Sequence, residues 1–151
     1  MAVRATPKVQ SPRRRQLSLL RSILSGTSPA PVDVLERVMG GLPAADLEEI
    51  LEYGLTLGEA AGAIGVSTRT LVRKREKQTP FEVTESDRLI RLARLLRDAD
   101  RLIGDHAKAL LWLRAKNWGL GDRVPLEMLA ADAGVDLVRQ SLTTIAYGGV
   151  A

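Results

Sequence analysis

The feature of the sequence that most constrains the fold is a helical repeat of apolar residues before Ile103. Apolar side chains recur there three or four positions apart, which is the spacing of one face of an α-helix. The recurring residues are Leu89, Leu92, Ala93, Leu96, Ala99 and Ile103, and the opposite side carries Arg91, Arg94, Asp98 and Arg101. No run of four or more alternating residues indicates a strand. The pattern predicts an all-α fold whose longest helix spans about 85–103.

The composition favours helix packing and excludes several kinds of site. Only two Trp, two Tyr and one Phe occur in 151 residues, so the core must consist mainly of aliphatic side chains. The chain has no cysteine and a single histidine, His106, which excludes disulfides, thiolate sites and the usual zinc sites. His106 follows Asp105, so we expect capping or solvent exposure there. No triad, Walker loop or GxGxxG motif is present, and we expect no catalytic residue, metal or cofactor.

The sequence also predicts where the protein resides. No stretch reaches the roughly 18 apolar residues of a membrane span, and the basic N-terminus lacks the apolar run of a signal peptide. The absence of cysteine fits a reducing compartment. We therefore expect a soluble, cytoplasmic protein with no membrane partner.

Prolines, glycines and charge divide the chain into three parts. Residues 1–13 contain two prolines and no acid, which predicts a disordered basic arm that is either solvated or in contact with DNA. Residues 14–79 should form a helical DNA-binding domain and residues 80–151 a second helical domain, with the boundary near Pro80. The net charge of +4 is concentrated in the arm and in 66–81, which suggests a local contact with a polyanion.

Helix signals recur along both predicted domains. Pro31 suits the first turn of a helix, "VDVLERVMGG", which the glycine pair ends. Further helices are predicted at "RQLSLLRSIL", "PAADLEEILEYG", "HAKALLWLRAK", "PLEMLAADAG" and "VDLVRQSLTTIAY". Trp112 lies at helical spacing with Leu111, so we expect it in the core rather than in contact with a ligand.

The segment "LGEAAGAIGVSTRTLVRKREK" has the spacing of a helix-turn-helix motif. A capping box at Thr56 and Glu59 starts its first helix. Ala61 is small where two helices cross, Gly65 suits a left-handed turn, and Ser67 can cap the second helix. In such motifs the second helix enters the major groove of DNA.

The exposed face of that second helix supplies the candidate DNA contacts. Arg69 and Arg73 are placed for base edges, since arginine pairs bidentately with guanine. The full set of candidates is Ser67, Thr68, Arg69, Val72, Arg73, Lys74, Arg75 and Lys77, in which Thr68, Lys74, Arg75 and Lys77 would contact phosphates. A solvated basic helix and a surface for protein contact are the alternatives. Lys74 occupies a usually apolar position, so the helix either packs loosely there or extends the lysine stem over the core.

From Thr56 onward the chain resembles the Xre/MbcA/ParS antitoxin family. The resemblance is carried, in order, by the helix-turn-helix, "ESDRLIRLARLL", "KALLWLR", a loop, "PLEMLAADAG" and a terminal Ile-x-Tyr-Gly, here Ile145 to Gly148. It implies a homodimeric antitoxin that neutralises a RES-domain toxin encoded by the adjacent gene. Such toxins consume NAD. It also implies that the protein binds double-stranded operator DNA and represses its own gene pair.

The resemblance implies that the C-terminal segment plugs the toxin active site. The toxin-binding residues would be Ile145, Tyr147, Gly148, Gly149, Val150 and Ala151. A terminal carboxylate could imitate the anionic dinucleotide, and the glycines let the backbone bend.

Four residues depart from the family pattern. Trp118 replaces a loop proline, and Val124 replaces a capping threonine. Thr144 and Ala146 stand where arginine and glutamate are common, so both charges are missing there. The loop should be less rigid, or Trp118 should anchor it by packing.

Three questions stay open at the level of sequence. The wide apolar face of 85–103, which Leu95 and Leu102 extend, fits either a dimer seam or a fully buried core helix. A stand-alone transcriptional regulator without a toxin is the main alternative function. A protein-binding adaptor that has lost DNA affinity through Lys74 is the other.

Overall fold

A computed structural model describes residues 18–148 of the chain. Within this range the fold is all-α, as predicted, with eight α-helices and no strand. The helices are α1 (Leu19–Leu24), α2 (Pro31–Gly40), α3 (Leu47–Tyr53), α4 (Leu57–Ile64), α5 (Thr68–Lys77), α6 (Val83–Ile103), α7 (His106–Arg114) and α8 (Asp132–Ala146). Short 3-10 turns lie at Ala44–Asp46, Trp118–Leu120 and Pro125–Met128. The predicted arm of 1–13 lies outside the described residues.

Most helix ends follow the local signals in the sequence. Pro31 occupies the first turn of α2, and Thr56 and Glu59 form the predicted capping box of α4. The Ser67 side chain accepts a hydrogen bond from the Thr70 amide at the start of α5, and Asp105 caps α7 in the same way through Lys108. These caps satisfy amides that the first turn of a helix leaves unpaired.

Helix α6 is the centre of the fold. It begins at Val83, two residues before the predicted start, because Glu82 and Glu85 form a second capping box. It packs against α1, α2, α4, α7 and α8. Its buried residues are Ser86, Leu89, Ile90, Leu92, Ala93, Leu95, Leu96 and Ala99. The wide apolar face is therefore covered by the chain itself, so it is core and does not require a dimer seam.

The predicted domain boundary at 79/80 falls just before α6. One hydrophobic cluster nevertheless includes residues from α1 through α8, among them Leu20, Ile64 and Leu142. The boundary stays a prediction. No helix among residues 18–148 is long and apolar enough to cross a membrane.

The connection between α7 and α8 differs from the prediction. "PLEMLAADAG" is not an α-helix: Pro125–Met128 is a 3-10 turn, and α8 begins early, at Asp132. Val124 makes no side-chain cap, as expected from its apolar side chain. A Cβ added at Gly134 would overlap the Met128 carbonyl oxygen. This close approach packs the 3-10 turn against the first turn of α8.

Trp118 does not anchor the loop that follows α7, since 79% of its surface is exposed. Backbone contacts and a different side chain do so instead. Asn117 N donates to Arg123 O at 3.0 Å, Asp122 N donates to Asn117 O at 2.9 Å, and Leu120 is buried. Of the two alternatives that the sequence left for this loop, anchoring by Trp118 is therefore wrong.

Candidate functional site

The turn between α4 and α5 has the geometry of a helix-turn-helix. Gly65 adopts the left-handed conformation that was predicted, with φ of 74°. The side chains of Ile64 and Leu71 are fully buried on either side of it. Arg88 of α6 donates to the Ile64 carbonyl at 3.0 Å, which fixes the end of α4 to the central helix. The position of α5 is thus determined by the core.

The N-terminal half of α5 presents the predicted surface. Thr68, Arg69 and Arg73 are exposed and Val72 is half-buried. Within residues 18–148, neither Arg69 nor Arg73 forms an ion pair. Their guanidinium groups are therefore available to a partner from outside the chain. The Ser67 hydroxyl accepts from Thr70 N at 3.0 Å, so it acts first as a helix cap.

Lys74 does not belong to that surface. It is only 9% exposed, and its Nζ lies 3.2 Å from Glu85 Oε2 and donates to the Pro80 carbonyl at 3.2 Å. The Phe81 ring centroid lies 5.8 Å from the same ammonium group. A buried charge needs such partners, because it has lost its water. The structure removes Lys74 from the phosphate contacts and explains its usually apolar position by an internal ion pair.

Arg75 and Lys77 differ in their partners. The Arg75 guanidinium binds the Glu48 carboxylate of α3 through two nitrogens, with Nε 2.5 Å from Oε1 and Nη2 3.0 Å from Oε2. A phosphate would have to compete with Glu48 for this group. Lys77 is exposed in the last turn of α5. The free positive charge of α5 is therefore concentrated on the side of Arg69 and Arg73.

The second candidate surface is the C-terminal end. Helix α8 ends at Ala146, and Tyr147 follows it with 81% of its surface exposed. Ile145 is half-buried, and Gly148 adopts a positive φ of 77°. Gly149, Val150 and Ala151 lie outside the described residues. An exposed tyrosine with no intramolecular packing suits contact with a partner.

Three further exposed apolar residues of the second half were not among the predicted contacts. Leu111 on α7 is 68% exposed, Leu137 on α8 is 46% exposed, and Trp118, in the connection between these helices, is 79% exposed. Helical spacing gave Leu111 no distinctive position, and Trp118 was considered only as a possible anchor of its loop. Trp112, by contrast, is partly buried against the core as predicted.

His106 takes part in a local structural contact rather than in a functional site. Its Nδ1 lies 2.9 Å from Asp100 Oδ2, and its ring packs edge-on against Tyr53. Tyr53 donates its hydroxyl hydrogen bond to the same carboxylate. Burial raises the pKa of the Tyr53 phenol well above its usual value, and the hydrogen bond to Asp100 adds to the rise. No group of three metal-ligating side chains gathers anywhere in residues 18–148.

Comparison with known proteins finds two family models that match this chain. Residues 33–94 match the model of the antitoxin Xre-like helix-turn-helix domain. Residues 98–148 match the model of the antitoxin Xre/MbcA/ParS C-terminal toxin-binding domain. The candidate DNA contacts lie in the first range, and the exposed residues Leu111, Trp118, Leu137 and Tyr147 lie in the second.

Two curated relatives and one solved structure extend the likeness. The chain is 30% identical over 116 residues to antitoxin Xre of Pseudomonas putida, covering 77% of this chain and 72% of that protein. It is 32% identical over 126 residues to antitoxin Xre of Yersinia enterocolitica, with 82% and 74% coverage. A chain in the crystal structure of the M. tuberculosis MbcT–MbcA toxin–antitoxin complex has a similar fold, with a TM-score of 0.54, 23% identity and coverage of 89% and 100%.

Proposed function

The chain belongs to the Xre/MbcA/ParS family of antitoxins, and from that premise we propose that it neutralises a RES-domain, NAD-consuming toxin encoded beside it and represses the shared operon. The observation that carries the first part is the match of 98–148 to a toxin-binding domain, at the C-terminal end of which Tyr147 is 81% exposed. The family is one of antitoxins, not of enzymes.

The C-terminal segment would enter the toxin active site. Tyr147 can stack or donate a hydrogen bond at its mouth, and Gly148 has a positive φ of 77°, a backbone conformation that glycine adopts at little cost. Ala146 offers no charge to the toxin, so side-chain contacts must come mainly from Ile145 and Tyr147. Ordering the segment costs about 1–2 kcal/mol per residue, which the contacts have to offset.

Co-expression tests this mechanism. The full chain, tagged, is expressed with the adjacent gene product, and growth and co-purification are both measured. We expect the full chain to be retained with the toxin and to protect the cells, whereas deletion of 147–151 abolishes protection. Full protection by the truncated chain would refute the plug, and the absence of any retained partner would favour a stand-alone regulator.

Operator binding would use the exposed side of α5. The unpaired guanidinium groups of Arg69 and Arg73 favour this function, because they lie one helical turn apart on a helix whose position the core fixes. Thr68 and Lys77, with Arg75 once released from Glu48, would contact the DNA backbone.

A gel shift with the upstream DNA tests the assignment. Arg69→Ala combined with Arg73→Ala should weaken specific binding by about 30-fold or more, since each base-reading arginine contributes about 1–3 kcal/mol. Lys116→Ala combined with Arg123→Ala removes the same charge from exposed positions outside α5 and serves as the matched control. Equal losses in the two pairs would show general charge attraction rather than recognition.

The homodimer is part of the same proposal, because helix-turn-helix proteins commonly bind two half-sites. With the apolar face of α6 buried, α2 offers an exposed apolar stripe of Val32, Leu35 and Met39, which are 62%, 58% and 63% exposed. Light scattering should find a dimer that Leu35→Lys converts to a monomer. A wild-type monomer at working concentration would exclude it.

A further inference from the structure

A cavity of about 350 Å³ lies between the α1–α2 loop, the solvent side of α6, and α8. Arg94, Arg97 and Arg101 line it from one face of α6, at spacings of three and four residues, and Arg139 lines it from α8. Four arginines from two helices therefore line one concave surface.

The cavity contains far more positive charge than its own acids neutralise. Asp98 is the one acidic residue among the described residues that line it. Its carboxylate forms two long ion pairs, one with Arg101 Nη2 at 3.8 Å and one with Arg139 Nε at 3.8 Å. Four guanidinium groups against one carboxylate leave three positive charges in excess. Like charges one helical turn apart repel each other, so an anion bound between them would relieve a standing repulsion.

The two ends of the chain outside residues 18–148 have no acidic side chain that could neutralise this positive charge. Residues 1–17 and 149–151 contain neither aspartate nor glutamate. On the loop side, the Arg97 guanidinium packs so closely over Gly26 that a Cβ there would approach Nη2 to 2.5 Å. Thr27 and Ser28 add hydroxyl groups to the same wall. The loop thus holds one arginine in place and supplies neutral donors beside it.

We propose that this cavity binds an oligophosphate, either free or as part of a nucleotide. Guanidinium groups bind phosphate oxygens bidentately, and an excess of three positive charges suits a di- or triphosphate better than a single carboxylate. The concave shape favours a small ligand over the backbone of a DNA duplex, which needs an open surface.

Because of where the cavity lies, a bound oligophosphate would also affect how the two matched ranges pack on each other. Arg94 lies in the range matched by the helix-turn-helix model, whereas Arg101 and Arg139 lie in the range matched by the toxin-binding model. The α1–α2 loop precedes both ranges. A bound oligophosphate would therefore bridge the two matched parts and stabilise their packing.

Calorimetric titration of the full chain at physiological salt tests the site. The probes are pyrophosphate, tripolyphosphate, adenosine triphosphate and, as a neutral control, adenosine. The oligophosphates should bind and adenosine should not. Tighter binding of the nucleotide than of tripolyphosphate would identify a nucleotide site, equal binding would identify a free oligophosphate, and no binding of any phosphate probe would overturn the proposal.

Variants separate the cavity from general charge. Arg94→Gln combined with Arg101→Gln should weaken binding about 10-fold or more, because charged hydrogen bonds are lost. Lys116→Gln combined with Arg123→Gln removes equal charge outside the cavity and should leave the affinity unchanged. Asp98→Asn should strengthen binding, since it removes the one competing carboxylate. Equal weakening by both pairs would overturn the proposal. No toxin or DNA is present, so failure here is distinct from failure of the proposed function.

Discussion

The two helix connections that shape the candidate surfaces are built in different ways. The α4–α5 turn rests on local signals: the Thr56–Glu59 capping box, the left-handed Gly65 and the Ser67 cap. The α7–α8 connection has no side-chain cap at Val124 or Ala131, and depends on the packing of distant backbone instead. The α4–α5 turn therefore combines local caps with its tertiary anchor at Arg88, whereas the α7–α8 connection depends on packing and backbone contacts.

Gly134→Ala should break the second connection most strongly. The added Cβ would overlap the Met128 carbonyl oxygen, so either the 3-10 turn or the start of α8 must move. We expect a loss of about 3 kcal/mol in the free energy of unfolding, at the upper end for overpacking. Urea unfolding followed by circular dichroism measures it.

Gly62→Ala is the matched control in the first connection. A Cβ at Gly62, which lies inside α4, would meet nothing within 4 Å. Alanine should therefore stabilise the protein by about 0.5–1 kcal/mol through helix propensity. Similar destabilisation by both variants would contradict the close-approach explanation.

Lys74→Met tests the internal ion pair next to the first surface. It leaves the Glu85 carboxylate and the Pro80 carbonyl without their shared donor. We expect a loss of about 2 kcal/mol, typical of a buried group left unsatisfied, and partial recovery when Glu85→Gln is added. DNA affinity should not change, because the ammonium group lies inside the protein. Weaker DNA binding in a folded Lys74→Met protein would return this residue to the DNA surface.

Caps can be removed from one connection and added to the other. Thr56→Ala should cost about 1 kcal/mol by deleting the cap of α4. Ala131→Ser should stabilise by a similar amount, because Ala131 has an extended N-cap conformation but no side-chain hydrogen bond to offer α8. Thermal unfolding of both variants gives the two shifts. If Ala131→Ser does not stabilise the protein, the backbone amides in the first turn of α8 already have other hydrogen-bond partners.

The smallest expected effect comes from an ion pair between the two regions, and its size depends on pH. Arg114 of α7 binds Glu59 of α4, with Nε 2.7 Å from Oε1, and its hydrogen bond lowers the pKa of that carboxyl below the usual 4.5. A lowered pKa means that Glu59 stabilises the fold above its unfolded-state pKa and loses this effect as the pH falls through the folded-state value. Glu59→Gln should cost about 0.5–1 kcal/mol at pH 7.

The control for Glu59→Gln is the same pair of proteins compared near pH 3. The difference between the wild type and the variant should shrink as the pH falls through the folded-state pKa of Glu59, since its carboxyl group is then as neutral as the glutamine amide. A difference that is constant with pH would assign the loss to the capping box alone.

The same contrast explains how much of the molecule could be predicted from its sequence. The all-α fold, the central helix and the turn at Gly65 follow from periodicity and caps, which act over a few residues. The 3-10 turn at Pro125–Met128 could not be predicted, because Gly134 acts through a carbonyl six residues away. A lysine stem over the core was one of the alternatives for Lys74, but its ion pair could not be predicted, since the partner Glu85 lies beyond the end of α5. Anchoring by Trp118 was one of two alternatives for its loop, and the buried side chain there is Leu120 instead.

The candidate surfaces show the same division. Arg69 and Arg73 could be found because motif spacing fixes the exposed side of α5. The cavity arginines could not, because Arg139 and the α1–α2 loop meet Arg94 only after the chain has folded.

The central position of α6 has a consequence for synthesis of the protein. Helices α1, α2 and α4 all pack on α6, which ends at Ile103. A growing chain that has released only its first five helices can pack α3, α4 and α5 on one another, but it lacks the helix that covers α1, α2 and α4 together. Part of their apolar surface therefore stays open to chaperones and proteases until α6 has left the ribosome.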